Sequence, residues 1–340
     1  MHWSKAKIRW AIFSLVLMVA LAAGCGKKDG NTVASEQAGD NKTFVLKVPT
    51  VVNPTRAIPF LVGEELGFFA EEGIAFEPVG IIPSTQMVAA VVSGKIDVGA
   101  INGGHVNNMI AGVAAGAKLK AVVANTESTP EIPHMVFVTL EDSPINTPQD
   151  LIGKKIGIGT IGGCNEYVPY IYLNRFGIDK PKGQVEMVAI PEPNLEQALR
   201  QGDVDVIGLH NKDFILARGG LKYLFSDWEA FNGNTGGATP TYFSDKFIKA
   251  HPEVVRRFVK AYVKSLNWIN EHPQEAIDIT VAKTKSPREL ARPVFFATNG
   301  IIKQESITSW IDILTEFGDI KPGIKPEQIY TNEFNPYYKK

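Results

Sequence analysis

The chain has 340 residues, with 35 Lys+Arg against 36 Asp+Glu and a formal net charge of −1. A near-neutral chain without a basic stripe lacks the electrostatic footprint of a nucleic-acid binder, so that partner class is excluded. Two cysteines are too few for a disulfide scaffold, and the length suffices for two lobes with ample buried surface.

Met1 to Trp10 carries Lys5, Lys7 and Arg9 and no acid, and Ala11 to Leu21 is apolar apart from Ser14. With the small residues Ala22-Ala23-Gly24 that follow, residues 1–24 read as a signal peptide. The apolar run is about 11 residues, well short of the roughly 20 that span a bilayer. Ala22-Ala23-Gly24-Cys25 resembles the lipobox of bacterial lipoproteins, with Ala22 standing where the pattern prefers Leu. That resemblance implies a diacylglycerol anchor on Cys25. Residues 25–43 are polar and aperiodic, as a flexible tether would be. The expected location is extracytoplasmic, on the outer face of the cell membrane or in the periplasm. Cys164 is then left without a disulfide partner.

The rest of the chain reads as alternating strands and helices. Phe44 to Val52 is a first strand, a helix ends at Glu64 to Phe69, and Phe76 to Ile82 is a second strand. Ser84-Thr85 can cap a helix that runs to Ser93, with Gly94 in the left-handed stop position before the strand Ile96 to Ala100. This spacing predicts βαβ units and a mostly parallel sheet. A shift of about 108 positions lays Pro83 on Pro191, Gly94 on Gly202 and Asp97 on Asp205, so the unit occurs twice. The second copy opens with the strand Leu151 to Gly159 after Asp150. In the C-terminal third, Val255, Phe258, Tyr262, Leu266 and Ile269 form the apolar stripe of a helix that Pro252 starts. Glu305 to Phe317 predicts another. This third is expected to pack back onto the first lobe.

The order of Pro59 to Gly73, Ser93 to Gly99, Leu151 to Gly162 and Ser244 to Pro273 resembles the sulfonate/taurine/nitrate-type solute-binding proteins of ABC importers over residues 44–335. The resemblance implies a type II periplasmic-binding-protein fold, two α/β lobes with a hinge and a ligand cleft between them. It divides the chain into lobe 1 (44–134 plus 241–340) and lobe 2 (135–240). It also implies a monomer that binds a small molecule and docks on a membrane permease, and no enzymatic step.

Ligands in open α/β sheets sit beyond the carboxyl ends of the strands. The candidate ligand-binding residues there are Asn53, Arg56, Thr85, Gly103, Gly104 and His105, then Gly163, Cys164, Asn165, Glu166, Glu192, His210 and Asn211. Glu166 stands where sulfonate-type relatives carry a His. A carboxylate in the cleft would favour a zwitterion or a neutral polar heterocycle, such as a pyrimidine, over a bare anion. Gly157-x-Gly159-x-x-Gly162 matches a dinucleotide fingerprint, but its glycines begin inside the strand and Pro169 interrupts the following helix. No cofactor is expected. No metal is expected either, because the chain holds no His-x-His, His-x-x-x-His or Cys pair. An exported small-molecule enzyme, or a lipoprotein acting through surface contact, are the alternative classes.

Overall fold

The computed structural model describes residues 43–52, 54–102, 104–210, 218–233 and 239–339. The expected signal peptide, Cys25 and its tether fall outside these residues, as do Asn53, Gly103 and Asn211. Among the described residues no helix is long and apolar enough to cross a membrane.

Strand β1 (Phe44–Val48) pairs in parallel with β2 (Ile74–Pro78), and the helix Pro59–Glu65 connects them. Pro59 starts that helix at no cost, since its missing N–H would be unsatisfied in the first turn. Next come β3 (Val98–Gly99) and β4 (Leu119–Ala124), both antiparallel to the much later β10 (Pro240–Ser244). The intervening chain builds a second sheet from β5 (Val136–Leu140), β6 (Lys155–Ile158), β7 (Glu186–Ala189), β8 (Val206–Leu209) and β9 (Leu221–Ser226), in the order β7-β6-β8-β5-β9. The chain thus passes from one sheet to the other between Ala124 and Val136 and returns between Ser226 and Pro240.

The sequence repeat has a direct counterpart in hydrogen bonds. Asp97 accepts from the Lys47 backbone N–H at 2.8 Å, and its own N–H donates to the Lys47 carbonyl at 2.9 Å. Asp205 makes the same two bonds with Lys155, each at 2.9 Å. The first clasp ties the entry of β3 to β1, so the two-stranded sheet β1-β2 and the three-stranded sheet β3-β10-β4 follow one another in the order β2-β1-β3-β10-β4, which parallels the order of the five-stranded sheet. Each clasp follows a left-handed glycine, Gly94 (φ 74°) or Gly202 (φ 79°), that stops the preceding helix. In both copies Pro83 or Pro191 leads into a 3₁₀ turn, Ser84–Gln86 or Glu192–Asn194, before that helix.

The sheets are more mixed than expected. Parallel pairing is confined to the βαβ parts, whereas β5 and β10 run antiparallel to both their neighbours. The reason is connectivity: each enters its sheet from the other half of the molecule rather than through a crossover helix. Both carry a register shift, at Phe137/Val138 and Thr241/Tyr242. Each also sets an aromatic ring against a glycine of the adjoining strand. A Cβ at Gly99 would lie 2.2 Å from Tyr242, and one at Gly208 would lie 2.7 Å from Phe137.

Helix Pro252–Glu271 buries its predicted stripe against the first sheet, with Phe258 beside Phe69 and Phe243. Helix Gln304–Glu316 packs on the helix Val106–Ala114 that follows β3 and also reaches further. Its fully buried Trp310 touches Tyr167 and Phe231, residues that accompany the second sheet. It therefore belongs to the contact between the halves.

The Asp97 clasp predicts an ordered response to substitution. Asp97→Ala strands the Lys47 N–H and costs about 1–3 kcal/mol, while Asp97→Asn keeps an acceptor and loses less. Urea unfolding of the three proteins checks this, and equal stabilities would remove the clasp from the account.

Candidate functional site

A cleft of about 210 Å³ opens between the two sheets, lined by Arg56, Ser84 and His105 on one side and by His134, Glu192 and His210 on the other. Arg56 follows β1, His105 follows β3 and precedes the helix Val106–Ala114, and His210 ends β8. Glu192 sits in the 3₁₀ turn after β7, and Cys164 is the first residue of the helix after β6. All five lie beyond the carboxyl ends of strands, where strand-to-helix turns leave backbone and side chains free to converge. His134 comes from the crossing segment just before β5.

Glu192 and His210 are the electrostatic centre. The Glu192 carboxylate accepts the His210 backbone N–H at 3.0 Å, and both its oxygens lie 3.3 Å from His210 Nδ1. Burial opposes both charges, but the pairing outweighs it: Glu192 is held at about 2 and His210 is pushed up to about 10. Cys164 Sγ lies 3.8 Å from His134 Nε2, and the His134 and His210 rings sit 5.0 Å apart at 70°. Burial disfavours the Cys164 thiolate, yet His105 first, then His134 and His210, bring the thiol well below its ordinary value. Burial shifts His134 the other way, toward the neutral imidazole. Beneath it Asp227, fully buried, accepts from the Met135 N–H at 3.0 Å and from the Ser128 hydroxyl.

Hydrogen bonds cross the cleft directly. Asn107 Nδ2 donates to the Gly162 carbonyl at 2.6 Å, and the Cys164 N–H points at His105 Nδ1 at 3.5 Å. Arg292 reaches the His134 carbonyl at 3.5 Å. Gly163 admits this approach because a Cβ there would lie 3.1 Å from the His105 ring and 2.7 Å from Asn165 Oδ1.

Of the residues singled out in the sequence, Arg56, Gly104, His105, Glu192 and His210 line the cleft, whereas Gly163, Cys164 and Asn165 lie behind that lining, with Gly163 and Cys164 against His105. Thr85 does not line it; that 3₁₀ turn presents Ser84 instead, and Thr85 is exposed with no capping bond. Glu166 turns back to accept the Gly162 N–H at 2.6 Å. Its carboxylate is spent on the first helical turn, where it also suits the helix dipole. The carboxylate that faces the cleft is Glu192. Sequence reasoning allowed that His134 could line the cleft without counting it among the ligand-binding residues, and it missed Arg292, Asn107 and Asp227. Arg292 carried no sequence signal.

The family model described as NMT1/THI5 like matches residues 54–276. The chain is 25% identical over 295 residues to 4-amino-5-hydroxymethyl-2-methylpyrimidine phosphate synthase of Legionella pneumophila, an alignment covering 82% of this chain and 88% of that protein. It is 26% identical over 281 residues to the formylaminopyrimidine-binding protein of Halalkalibacterium halodurans, covering 79% and 77% respectively. The crystal structure of the periplasmic aliphatic sulphonate binding protein SsuA from Escherichia coli matches with a TM-score of 0.67 at 16% identity, over 85% of this chain and 98% of that one. That match shows the fold: a periplasmic-binding-protein fold with two α/β lobes. The expectation of no enzymatic step needs correction, because a relative aligned over most of this chain is named as a synthase.

The part-buried pair has a pH signature. The depressed Glu192 contributes stability above the ordinary carboxylate range, lost as pH falls toward about 2. The raised His210 contributes stability that is complete below the ordinary histidine range and lost as pH climbs toward about 10. Glu192→Gln removes the largest interaction that raises His210 and leaves only Cys164 to oppose burial, so its imidazole titrates at lower pH than in the parent. Histidine NMR titration reads this; an unchanged His210 titration in that variant would break the pairing argument.

Proposed function

Because the chain belongs to the NMT1/THI5-like family, we propose that it is the extracytoplasmic solute-binding component of an ABC importer, capturing a small polar organic molecule between two lobes and handing it to a membrane permease. The lobes are residues 44–134 with 241–340, and 135–240. In this reading residues 1–24 direct export, Cys25 carries the diacylglycerol anchor, residues 25–43 are the tether and the protein acts as a monomer.

The observation that carries the proposal is the cleft itself. Its polar groups come from both halves at strand ends, with Arg56 on one side and the Glu192–His210 pair on the other. Closure is a population shift, so the solute must touch both lobes to favour the closed form. Charges of both signs suit a zwitterion or a heteroatom-rich heterocycle better than a bare anion. The formylaminopyrimidine-binding relative supports the heterocycle.

A second reading is favoured by Cys164. A buried thiol with lowered pKa beside histidines is the arrangement of an activated nucleophile, and the synthase relative supports an enzyme acting on a pyrimidine.

Thermal-shift measurements on the chain from residue 26, with pyrimidines, amino acids, taurine, alkyl sulfonates and nitrate, separate these readings. A solute at about a hundred times its dissociation constant stabilises the fold by roughly 2.7 kcal/mol, a shift of several degrees. The importer reading expects a responder recovered unchanged by mass spectrometry. A responder recovered as a new compound moves the assignment to the enzyme.

A further inference from the structure

We propose that His134, Cys164 and His210 form a three-ligand site for a thiophilic transition-metal ion of the Zn²⁺ class, with its fourth coordination position open to the cleft. The inference deepens the solute-binding reading of the same cleft, since the captured molecule would complete the metal's coordination, but the site stands whether the cleft transports or catalyses.

Among the described residues these three side chains form the group of potential ligands whose donor atoms all lie within 4.8 Å of one another. Tetrahedral coordination, with Zn–S of about 2.3 Å and Zn–N of about 2.0–2.1 Å, sets donor atoms roughly 3.3–3.6 Å apart. The separation of Cys164 Sγ and His134 Nε2, 3.8 Å, is already close to that edge. The crossed His134 and His210 rings, at 70°, suit nitrogens converging on one point rather than stacking.

The surroundings match what metal-binding imidazoles require. Glu192 faces His210 Nδ1 with both oxygens, which leaves Nε2 for a metal and gives the carboxylate–histidine arrangement that orients such ligands. His134 is fixed through its backbone, its N–H donating to Ser128 Oγ at 3.1 Å and its carbonyl accepting from Arg292. Cys164 forms no disulfide and is buried, so neither a covalent partner nor solvent occupies its sulfur. His134 and His210 line the cleft while Cys164 lies behind them, so an ion held by all three would present its remaining face to the solute. Three protein ligands with one open position is the pattern of zinc sites that take a water or substrate in the fourth position, rather than of closed structural sites. No spacing motif marks these ligands, because two follow strands β6 and β8 and the third comes from the segment that crosses to β5.

Titration of the full mature chain with Co²⁺, followed by Zn²⁺ competition, tests the assignment without any solute. The result expected is one equivalent of Co²⁺ with a near-ultraviolet thiolate charge-transfer band and visible bands of tetrahedral intensity, all displaced by Zn²⁺. Cys164→Ser removes the charge-transfer band. Glu192→Gln, which keeps the three ligands and a side chain of the same shape, weakens Zn²⁺ binding about ten- to a hundredfold. Absence of the band in folded protein, or bands that persist in Cys164→Ser, would overturn the site. Solute binding is read separately by thermal shift, so a failed metal site and a failed solute-binding reading give different results.

Discussion

A carboxylate partly withdrawn from water is held charged most readily by a counter-charge, and Glu192 finds one in His210. The pair closes the gap between the turn after β7 and the end of β8, because the same carboxylate also takes the His210 backbone N–H. Once His210 is held there, its ring faces His134, and Cys164 is brought against both. The polarity of the cleft and the orientation of His210 toward His134 and Cys164 descend from that one part-buried interaction.

Much of the scaffold was legible because it depends on local rules with fixed spacing. A left-handed glycine followed three residues later by an aspartate recurs at Gly94–Asp97 and Gly202–Asp205, and both copies fold into the same turn and clasp. The amphipathic stripe of Pro252–Glu271 was equally plain. The directions of β5 and β10 were not, since alternating apolar residues carry no information about which neighbour a strand will find.

The site divides along the same line. Residues at strand ends, Arg56, His105, Cys164, Glu192 and His210, could be named from topology alone. Arg292, delivered by the C-terminal third, could not, because sequence distance hides it from the cleft it enters, and His134, from the crossing segment, was legible only as one of several histidines free to line it. Glu166 marks the limit of position without geometry. It lies at the predicted place, yet the nearby Gly162 N–H captures its carboxylate.

The halves meet through hydrogen bonds as well as through Trp310, so the form described is one in which the lobes already touch. A solute that stabilises this form must be gripped from both sides. Calorimetric affinity of a responding solute for Arg56→Ala and for His210→Ala, one from each side of the cleft, tests that claim most directly. The account predicts that each substitution alone weakens binding at least about tenfold, or roughly 1.4 kcal/mol. Loss confined to one of the two variants, with the other binding as the parent does, would contradict capture between two lobes.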